Sequence, residues 1–431
     1  MATSPVVGLR VPVHLVGDRP RSLRLTPAAA LLVAAAFTSS WTAVAVGGTK
    51  LVDLLLLGAF VLLLPRLFVT RYLPPAWLLV GAIGLVMTMV IHHLMPVDES
   101  YLATRYVLEL RDVDAQRIAT ESSLFVGVHW MVGLAALPWM AWSESWRSPR
   151  LGVWMAAAFV SGAAVSAGVA VVGFLGLADI AGQLLGYSPI DRRQPGLTDH
   201  PNNLGVVCVM ALPVAAYLLR FRRLAAAMLI VLLGAGVLLS GSRGAQAGAG
   251  FALAVLTVAR PELRRRIPTM AAALVATLAM CIAVAPRSLD PLRSLVRFSS
   301  EAAADSDVAR SMSLEQAKSD ILRDPIAGVG LRVVLDAHNI YLQLLAAGGV
   351  VLLVTVGVYC CGVLRAGWRA RAHTPLAANV TLALVVWLVM GIFQNQLTER
   401  YLYVLVAAVA AMSAAGLSQR VAGMSRMRAS S

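Results

Sequence analysis

Long apolar runs separated by short arginine clusters are the feature that most constrains what this chain can fold into. Runs of about 17–25 apolar residues are long enough to cross a bilayer as helices, and they recur between residues 28 and 417. Hydrophobic residues make up 59% of the 431 residues and charged residues only 13%, whereas a soluble protein has about 25% charged residues. The pattern predicts an all-α, polytopic membrane protein and excludes a water-soluble enzyme and a disordered chain.

The apolar runs give about twelve transmembrane helices when counted by length. Two of these runs are short for a full crossing. The predicted spans are residues 28–46, 50–64, 76–95, 123–142, 151–177, 201–219, 224–239, 244–259, 268–286, 338–361, 376–393 and 401–417.

The distribution of charge predicts the orientation. A net charge of +14 would by itself suggest a polyanion partner such as nucleic acid, but most of the arginines lie between apolar runs. With both termini inside, the inner segments carry 21 Lys and Arg against 3 acidic residues, and the outer segments 15 against 18. This asymmetry follows the positive-inside rule. It predicts a multi-pass protein of the inner (plasma) membrane with both termini cytoplasmic, surrounded by membrane lipids and not bound to nucleic acid.

The loops are unequal, and this predicts where function lies. We expect a cytoplasmic N-terminal segment (1–27) without a signal peptide, a single transmembrane domain (28–417) and a cytoplasmic tail (418–431). Ionisable groups and irregular backbone in membrane proteins concentrate at functional sites. The site is therefore expected on the outer face, where three segments are long: 96–122, 178–200 and, between the ninth and tenth helices, 287–337.

Three polar motifs open the sixth, eighth and tenth predicted helices at this outer face. Asp199 and Ser242 are predicted N-caps, and Pro201 falls in a first turn. Helix N-termini present unpaired N–H groups and a partial positive charge, which attract anions. Three such ends beside Arg193 and Arg243 predict a site for a multiply charged anion; the alternative is that each turn only places an arginine among lipid headgroups. The motifs are Asp199-His200-Pro201-Asn202-Asn203 with Arg192 and Arg193 upstream, Ser240-Gly241-Ser242-Arg243-Gly244, and Asp336-Ala337-His338-Asn339.

His338 is the candidate general base. The positive end of its helix and nearby arginines should favour the neutral imidazole that a base requires; alternatively His338 only caps or hydrogen-bonds the helix start. His92 and His93 are adjacent on a helix and point about 100° apart, which disfavours a metal site.

A short helix is predicted over residues 308–323, ended by Asp324-Pro325. Leu314, Ala317 and Ile321 follow helical spacing, and Arg310 falls on the same face. Arg310 then either points into the protein with a functional role or only snorkels to the surface.

Taken together, these motifs resemble those of the O-antigen ligase and polymerase superfamily. The resemblance covers roughly residues 190–360 in motif and the whole chain in topology, and the first 180 residues carry no recognised motif. It is carried by Arg193…Gly196…His200-Pro201-Asn202, Ser240-Gly241-Ser242-Arg243-Gly244, Arg310, Asp324-Pro325-Ile326-Ala327-Gly328-Val329-Gly330, His338-Asn339-Ile340-Tyr341-Leu342 and Gly348-Gly349.

The resemblance implies an inverting, metal-independent glycosyl transfer with no cofactor, in the architecture of lipid-donor glycosyltransferases. The donor would be a glycan on a polyprenyl-diphosphate carrier and the acceptor a lipid-anchored glycan. By this resemblance His338 is the base and Arg243 a catalytic cation. The residues expected to bind the diphosphate or substrate are Arg192, Arg193, Arg310, Asn202, Ser242 and Asn339.

Three alternatives stay open at this point. A polymerase would share the donor site and extend the glycan on its carrier, although the motifs favour the ligase. A flippase or exporter of a lipid-linked glycan would share the basic outer pocket but would also need an inner-facing site, and Asp53 is the one acidic residue inside a predicted span. Asp112-Val113-Asp114 could hold a divalent cation for nucleotide-sugar transfer, but acids and arginines alternate around it as in a solvated helix.

Overall fold

The computed structural model describes residues 25–67, 74–98, 100–101, 115–186, 193–259, 272, 275, 279, 301–331, 338–394 and 396–430. Within these ranges the chain is mainly helical, apart from a small antiparallel hairpin of β1 (Ala45–Val46) and β2 (Thr49–Lys50). A π-helical turn, Val132–Ala136, joins α4 to α5, and a 3-10 turn, Gly391–Phe393, follows α13. The helices are α1 (Pro27–Thr38), α2 (Leu51–Leu67), α3 (Ala76–Leu94), α4 (Ala115–Met131), α5 (Leu137–Ser145), α6 (Leu151–Phe174), α7 (Ile180–Leu185), α8 (Pro201–Leu218), α9 (Arg223–Leu239), α10 (Arg243–Ala259), α11 (Glu301–Arg323), α12 (Ile340–Ala370), α13 (Leu376–Met390) and α14 (Arg400–Ser430).

Seven helical stretches in the described residues are long and apolar enough to cross a membrane. Two shorter apolar helices, α1 and α9, accompany them. These helices make the chain a polytopic, mainly helical membrane protein. The seven stretches are Ala76–Leu94, Ser123–Ser145, Leu151–Phe174, Pro201–Leu218, Ile340–Ala370, Leu376–Phe393 and Arg400–Ser418.

Each predicted span coincides with a helix except 268–286, which lies almost entirely outside the described residues. The count of twelve spans, the domain division and the outer loop between helices nine and ten therefore stay predictions. The first helix is shorter than predicted and ends at Thr38. The following residues contact another segment, because the Ala43 amide donates to the Leu197 carbonyl at 3.3 Å and the Thr42 hydroxyl to Asp199 at 2.6 Å.

The short helix predicted over 308–323 is confirmed as the later part of α11. Its predicted inner face is correct, since Ala317 is buried and Leu314 and Ile321 are half-buried, while Met312 and Lys318 are exposed. The helix ends at Asp324-Pro325 as expected. Asp324 then turns the chain, its carboxylate accepting from the amides of the two residues that follow Pro325, at 3.1 and 2.9 Å.

The core of the bundle is formed around α14. This helix packs against α5, α6, α12 and α13, and 83% of its membrane-length part is buried. Small residues fill its contact positions, among them Ala407, Ala408 and Ala411, which are fully buried. Close approach of small-residue faces is the usual way in which helices associate in a membrane, where no hydrophobic effect drives them together.

α12 is broken at Gly348 and Gly349, and the segment after α11 fills the break. Gly349 has φ 60° and ψ −159°, outside helical geometry. The amides of Val329 and Gly330 donate to the carbonyls of Ala346 and Ala347 at 2.8 and 3.0 Å, and the Val350 amide donates to the Pro325 carbonyl at 2.9 Å. Backbone groups freed within a membrane need such partners. The Gly-x-Gly and Gly-Gly motifs therefore join α11 to the helix that begins after His338.

Replacing Gly349 by alanine should destabilise the protein by about 2–5 kcal/mol, because a side chain at positive φ is strained and an added methyl overpacks the site. An added Cβ would lie 2.1 Å from the Ile326 carbonyl oxygen. Gly357 in the same helix is the matched control, since a Cβ there meets nothing within 4 Å. Thermal unfolding of the purified variants measures the difference, and equal melting temperatures for G349A and G357A would contradict the role given to the break.

Candidate functional site

Arg193 connects two of the predicted motifs. It is 9% exposed, and its Nε donates to the Ser240 carbonyl at 2.8 Å while an Nη donates to the Asn202 side-chain oxygen. The Gln194 amide also donates to the Leu239 carbonyl at 3.0 Å. The N-terminus of α8 and the turn before α10 are therefore held together by one buried guanidinium and a backbone hydrogen bond.

The N-cap of α8 is His200 and not Asp199 as predicted. The His200 Nδ1 accepts from the Asn202 amide at 3.1 Å. Asp199 instead accepts from the Thr42 hydroxyl and from the Asn203 side chain, both at 2.6 Å, and is 3.5 Å from the Lys50 ammonium. The aspartate has stronger donors elsewhere, so the neighbouring imidazole caps the helix. Pro201 occupies the first turn, as predicted.

Ser242 caps α10 as predicted, its hydroxyl accepting from the Ala245 amide at 3.3 Å. Gly241 adopts φ +59°, and an added Cβ would lie 3.1 Å from the Arg193 side chain. Glycine is thus required both by the backbone and by the close approach of the arginine. Arg243 follows as the first residue of α10 and is half-buried. Arg243 therefore follows, by two residues, the glycine that the Arg193 side chain approaches.

His338 has an unusual backbone. Its φ of 45° makes it the non-glycine residue with positive φ among the described residues. Such strain costs of order 1–3 kcal/mol and is found where function requires a fixed conformation. Asn339 caps α12, its side-chain oxygen accepting from the amides of Tyr341 and Leu342 at 3.0 and 3.1 Å. The cap thus fixes the helix start directly after the half-buried His338.

His200 and His338 lie within electrostatic range of each other. Burial, the charge of Arg193 and the charge of His338 together hold the pKa of His200 below its ordinary value, against the opposite effect of Asp199. The start of α12 also adjoins the segment after α13, because an added Cβ at Gly391 would lie 2.3 Å from the Ile340 side chain. The structure therefore groups the three predicted helix starts at one end of the bundle.

Two of the predicted site residues are less closely tied to this group. Arg310 is half-buried on the inner face of α11, and α11 packs against α12. Arg192 lies outside the described residues, as do Asp336 and the rival pair Asp112 and Asp114.

Two buried glutamines near the site were not predicted. Gln394 is 5% exposed and lies over the start of α10, its Nε2 3.0 Å from a Cβ added at Gly244. Gln343 is also 5% exposed and follows Asn339 by one helical turn. Neither side-chain oxygen has a hydrogen-bond partner among the described residues. A buried amide oxygen without a donor is costly, so each is suited to accept from a ligand hydroxyl. The sequence signal that could have indicated them is that Gln343 interrupts an apolar run and Gln394 directly follows one.

A charged network beside this group was also missed. The Lys50 ammonium lies 3.5 Å from Asp199 and 3.3 Å from Glu399. One residue further, the Arg400 Nε donates to Asp53 at 2.5 Å, and its Nη atoms contact the His129 carbonyl and Nδ1 at 2.8 and 3.0 Å. Asp53 is an acidic residue within the second predicted span. Its partner Arg400 is 347 residues away, and no sequence pattern connects the two.

An amphiphilic cavity of about 850 Å³ opens next to this network, between α2 and α4. The ionisable residues in its lining are Lys50, Asp53, His129 and Arg400. Along α2, α4, the π-helical turn and α5 the lining then becomes apolar: Leu54, Leu57, Phe60, Phe125, Val132 and Met140. A cavity with one charged end and a long apolar wall has the form expected for a lipid with a polar head.

That the site works without a metal ion stays a prediction. His92, one of the pair weighed as metal ligands, contacts the Ala327 carbonyl through Nε2 at 3.0 Å. Among the residues that the structure describes, no three His, Cys, Asp or Glu side chains are grouped so that they could hold a metal ion.

One part of the chain matches a known protein family. Residues 227–357 match the family model described as O-antigen ligase. The match spans the Ser240–Gly244 turn, Arg310, the Gly328–Gly330 segment and His338, so the resemblance inferred from the motifs is confirmed for this part of the chain. It supports a membrane enzyme of the O-antigen ligase or related polymerase type. No curated protein matches the chain.

Lowering the pH should destabilise the folded protein through His200. The unfolded histidine binds a proton at about pH 6.5, and the folded one does so only at lower pH. Stability is therefore highest above about pH 6.5 and falls as the pH drops below it. His200→Asn keeps a good N-cap acceptor and should flatten this decline. Melting temperatures at neutral and acidic pH test it, and identical pH profiles for the two proteins would refute the assignment.

Proposed function

We propose that the protein transfers a glycan from a polyprenyl-diphosphate carrier to a lipid-anchored acceptor, as an O-antigen ligase-like enzyme. The observation that carries this proposal is the convergence of three helix starts, with Arg193, Arg243, His200 and His338, at one end of a membrane bundle. The family match over residues 227–357 supports the same reaction class.

The donor diphosphate is the group that this arrangement suits. Helix N-termini and arginines attract phosphate oxygens, and Arg243, at the start of α10, combines both features. As the bond between the anomeric carbon and the phosphate oxygen breaks, the electron pair stays on the diphosphate. Fixed cations stabilise that growing charge. The positive potential at the donor site is increased by Arg193, and we assign the same role to Arg192 and Arg310. A resident metal ion is then not required.

The acceptor reacts through a hydroxyl, and His338 is the proposed base. The hydroxyl oxygen attacks the anomeric carbon from the face opposite the diphosphate, so the configuration inverts, and its proton passes to the neutral imidazole of His338. Asn339 positions His338 by capping α12. Asn202 positions Arg193 by accepting its hydrogen bond. Ser242 positions Arg243 by capping the start of α10. Gln343 and Gln394 are proposed to accept hydrogen bonds from sugar hydroxyls.

We further propose that the amphiphilic cavity receives the hydrocarbon chain of one of the two lipid substrates. Its charged end is joined to the site, because Lys50 contacts Asp199, the residue before the His200 cap. The enzyme would then lie in the inner (plasma) membrane with both termini cytoplasmic and the reaction on the outer face, in agreement with the positive-inside rule.

The purified protein should convert a polyprenyl-diphosphate glycan in the presence of EDTA, releasing the diphosphate lipid. The new partner of the glycan is scored by mass spectrometry. Transfer to a different lipid-anchored glycan supports the ligase, and extension on the carrier identifies a polymerase. Movement of the intact donor across a vesicle membrane without diphosphate release would instead identify a flippase. Loss of turnover in EDTA with recovery on adding Mg²⁺ would refute the metal-independent mechanism.

Two substitutions should separate the base from the diphosphate site. H338A should lower turnover by about 10²–10⁴-fold with nearly unchanged donor binding, because the base touches the acceptor. R243A should weaken donor binding, and R243K should recover it only in part, since lysine lacks the bidentate geometry. Arg222→Ala, an exposed residue at the other end of the bundle, is the control. A stable H338A protein with near-normal turnover would exclude His338 as the base.

A further inference from the structure

A second cavity lies at the end of the bundle opposite His338. Its volume is about 660 Å³, and it is enclosed by the C-terminal part of α12 together with α3, α5 and α14. The polar lining is basic or neutral, and none of the lining residues is acidic. The residues that define this basic pocket are Arg365, Arg369, His373, Trp77, Trp142 and Ser413.

No described residue neutralises the two arginines of the basic pocket. Neither Arg365 nor Arg369 has an ion pair or side-chain hydrogen bond within the described part of the chain. They lie one helical turn apart on α12, so both point to the same side. Arg371, by contrast, stacks on Trp368 with its guanidinium carbon 3.5 Å from the ring centroid. Among the described residues, the positive charge of the pocket therefore has no acidic partner.

Trp142 gives an independent indication of a ligand. Its side chain lines the pocket and is 6% exposed, and its indole nitrogen is buried without a hydrogen-bond acceptor among the described residues. A buried tryptophan usually finds an acceptor for its N–H, and the group can only donate. The missing partner of Trp142 is thus a hydrogen-bond acceptor. Arg365 and Arg369 also require acceptors.

We propose that the basic pocket binds an anionic phospholipid from the membrane leaflet opposite the glycan-transfer site. Its phosphodiester oxygens accept from Arg365 and Arg369, and its acyl chains continue along the neighbouring helices. Basic pockets between transmembrane helices bind such headgroups, and tryptophans are enriched at the interface where headgroups lie. The position at the ends of α3, α5 and α12, and at the end of the membrane-length part of α14, places the pocket at that depth. The proposal does not depend on the transferase reaction.

Bound lipid should stabilise the bundle. Both α12 and α14 line the pocket, and α14 is the helix around which the core packs. A ligand that binds only the folded state raises its stability by mass action. For a protein of this size we expect the melting temperature to rise by about 2–5 °C when the lipid is in excess.

The test compares the full-length protein in nanodiscs of phosphatidylcholine alone and of phosphatidylcholine mixed with phosphatidylglycerol. The wild type should melt higher in the anionic mixture, and the double variant R365A/R369A should lose that increase. R222A/R223A removes the same charge at the same end of the bundle, from residues that do not line the pocket, and should keep the increase. W142F keeps an aromatic ring but removes the N–H donor, and it should show a reduced increase.

Several outcomes would overturn the proposal. These are an absent lipid effect in the wild type, an unchanged effect in R365A/R369A, or an equal loss in R222A/R223A, which would indicate general surface electrostatics. Inorganic phosphate producing the same stabilisation would exclude a lipid as the specific ligand. If the double variant cannot be purified, native mass spectrometry of the wild type and W142F decides: equal retention of phosphatidylglycerol and phosphatidylcholine in both proteins refutes a selective site.

Discussion

The hydrogen bonds of Arg193 are the interaction on which the arrangement of the site depends. A buried guanidinium must have its donors satisfied, and here the partners are the Ser240 carbonyl and the Asn202 side chain, 47 and 9 residues away in sequence. Because these partners lie at the starts of α10 and α8, satisfying the arginine brings two helix N-termini together. The positive ends of both helices then face one region, where their fields reinforce each other instead of being dispersed around the bundle.

The second constraint is the break in α12, which gives this helix two functions. The part before Gly348 begins at Ile340, two residues after His338, and is hydrogen-bonded to the segment after α11. The part after Gly349 continues to Arg369 at the other end of the bundle. α14 likewise begins at Arg400, in the charged network beside the amphiphilic cavity, and passes Ser413 in the basic pocket. Two helices therefore line sites at both ends of the molecule.

The sequence predicted the features that depend on residues close together along the chain. Helix positions followed from apolar length, and the Ser242 cap and the end of α11 at Asp324 followed from neighbouring residues. The features that depend on long-range contacts were missed. Asp199 was expected to cap α8, but Thr42 and Lys50 compete for it from about 150 positions away. Arg400 and Asp53 are further apart still, and no local pattern reports that two such charges will meet.

The filled break in α12 also determines how this part of the protein can open. The amides of Val329, Gly330 and Val350 are bonded across the break to a different segment, so none can be released without disturbing the others. We expect them to exchange as one cooperative unit, distinct from fraying at helix ends. Since Ala346 and Ala347 end the helical segment that starts after His338, slow exchange of these amides would report on the backbone that supports the imidazole.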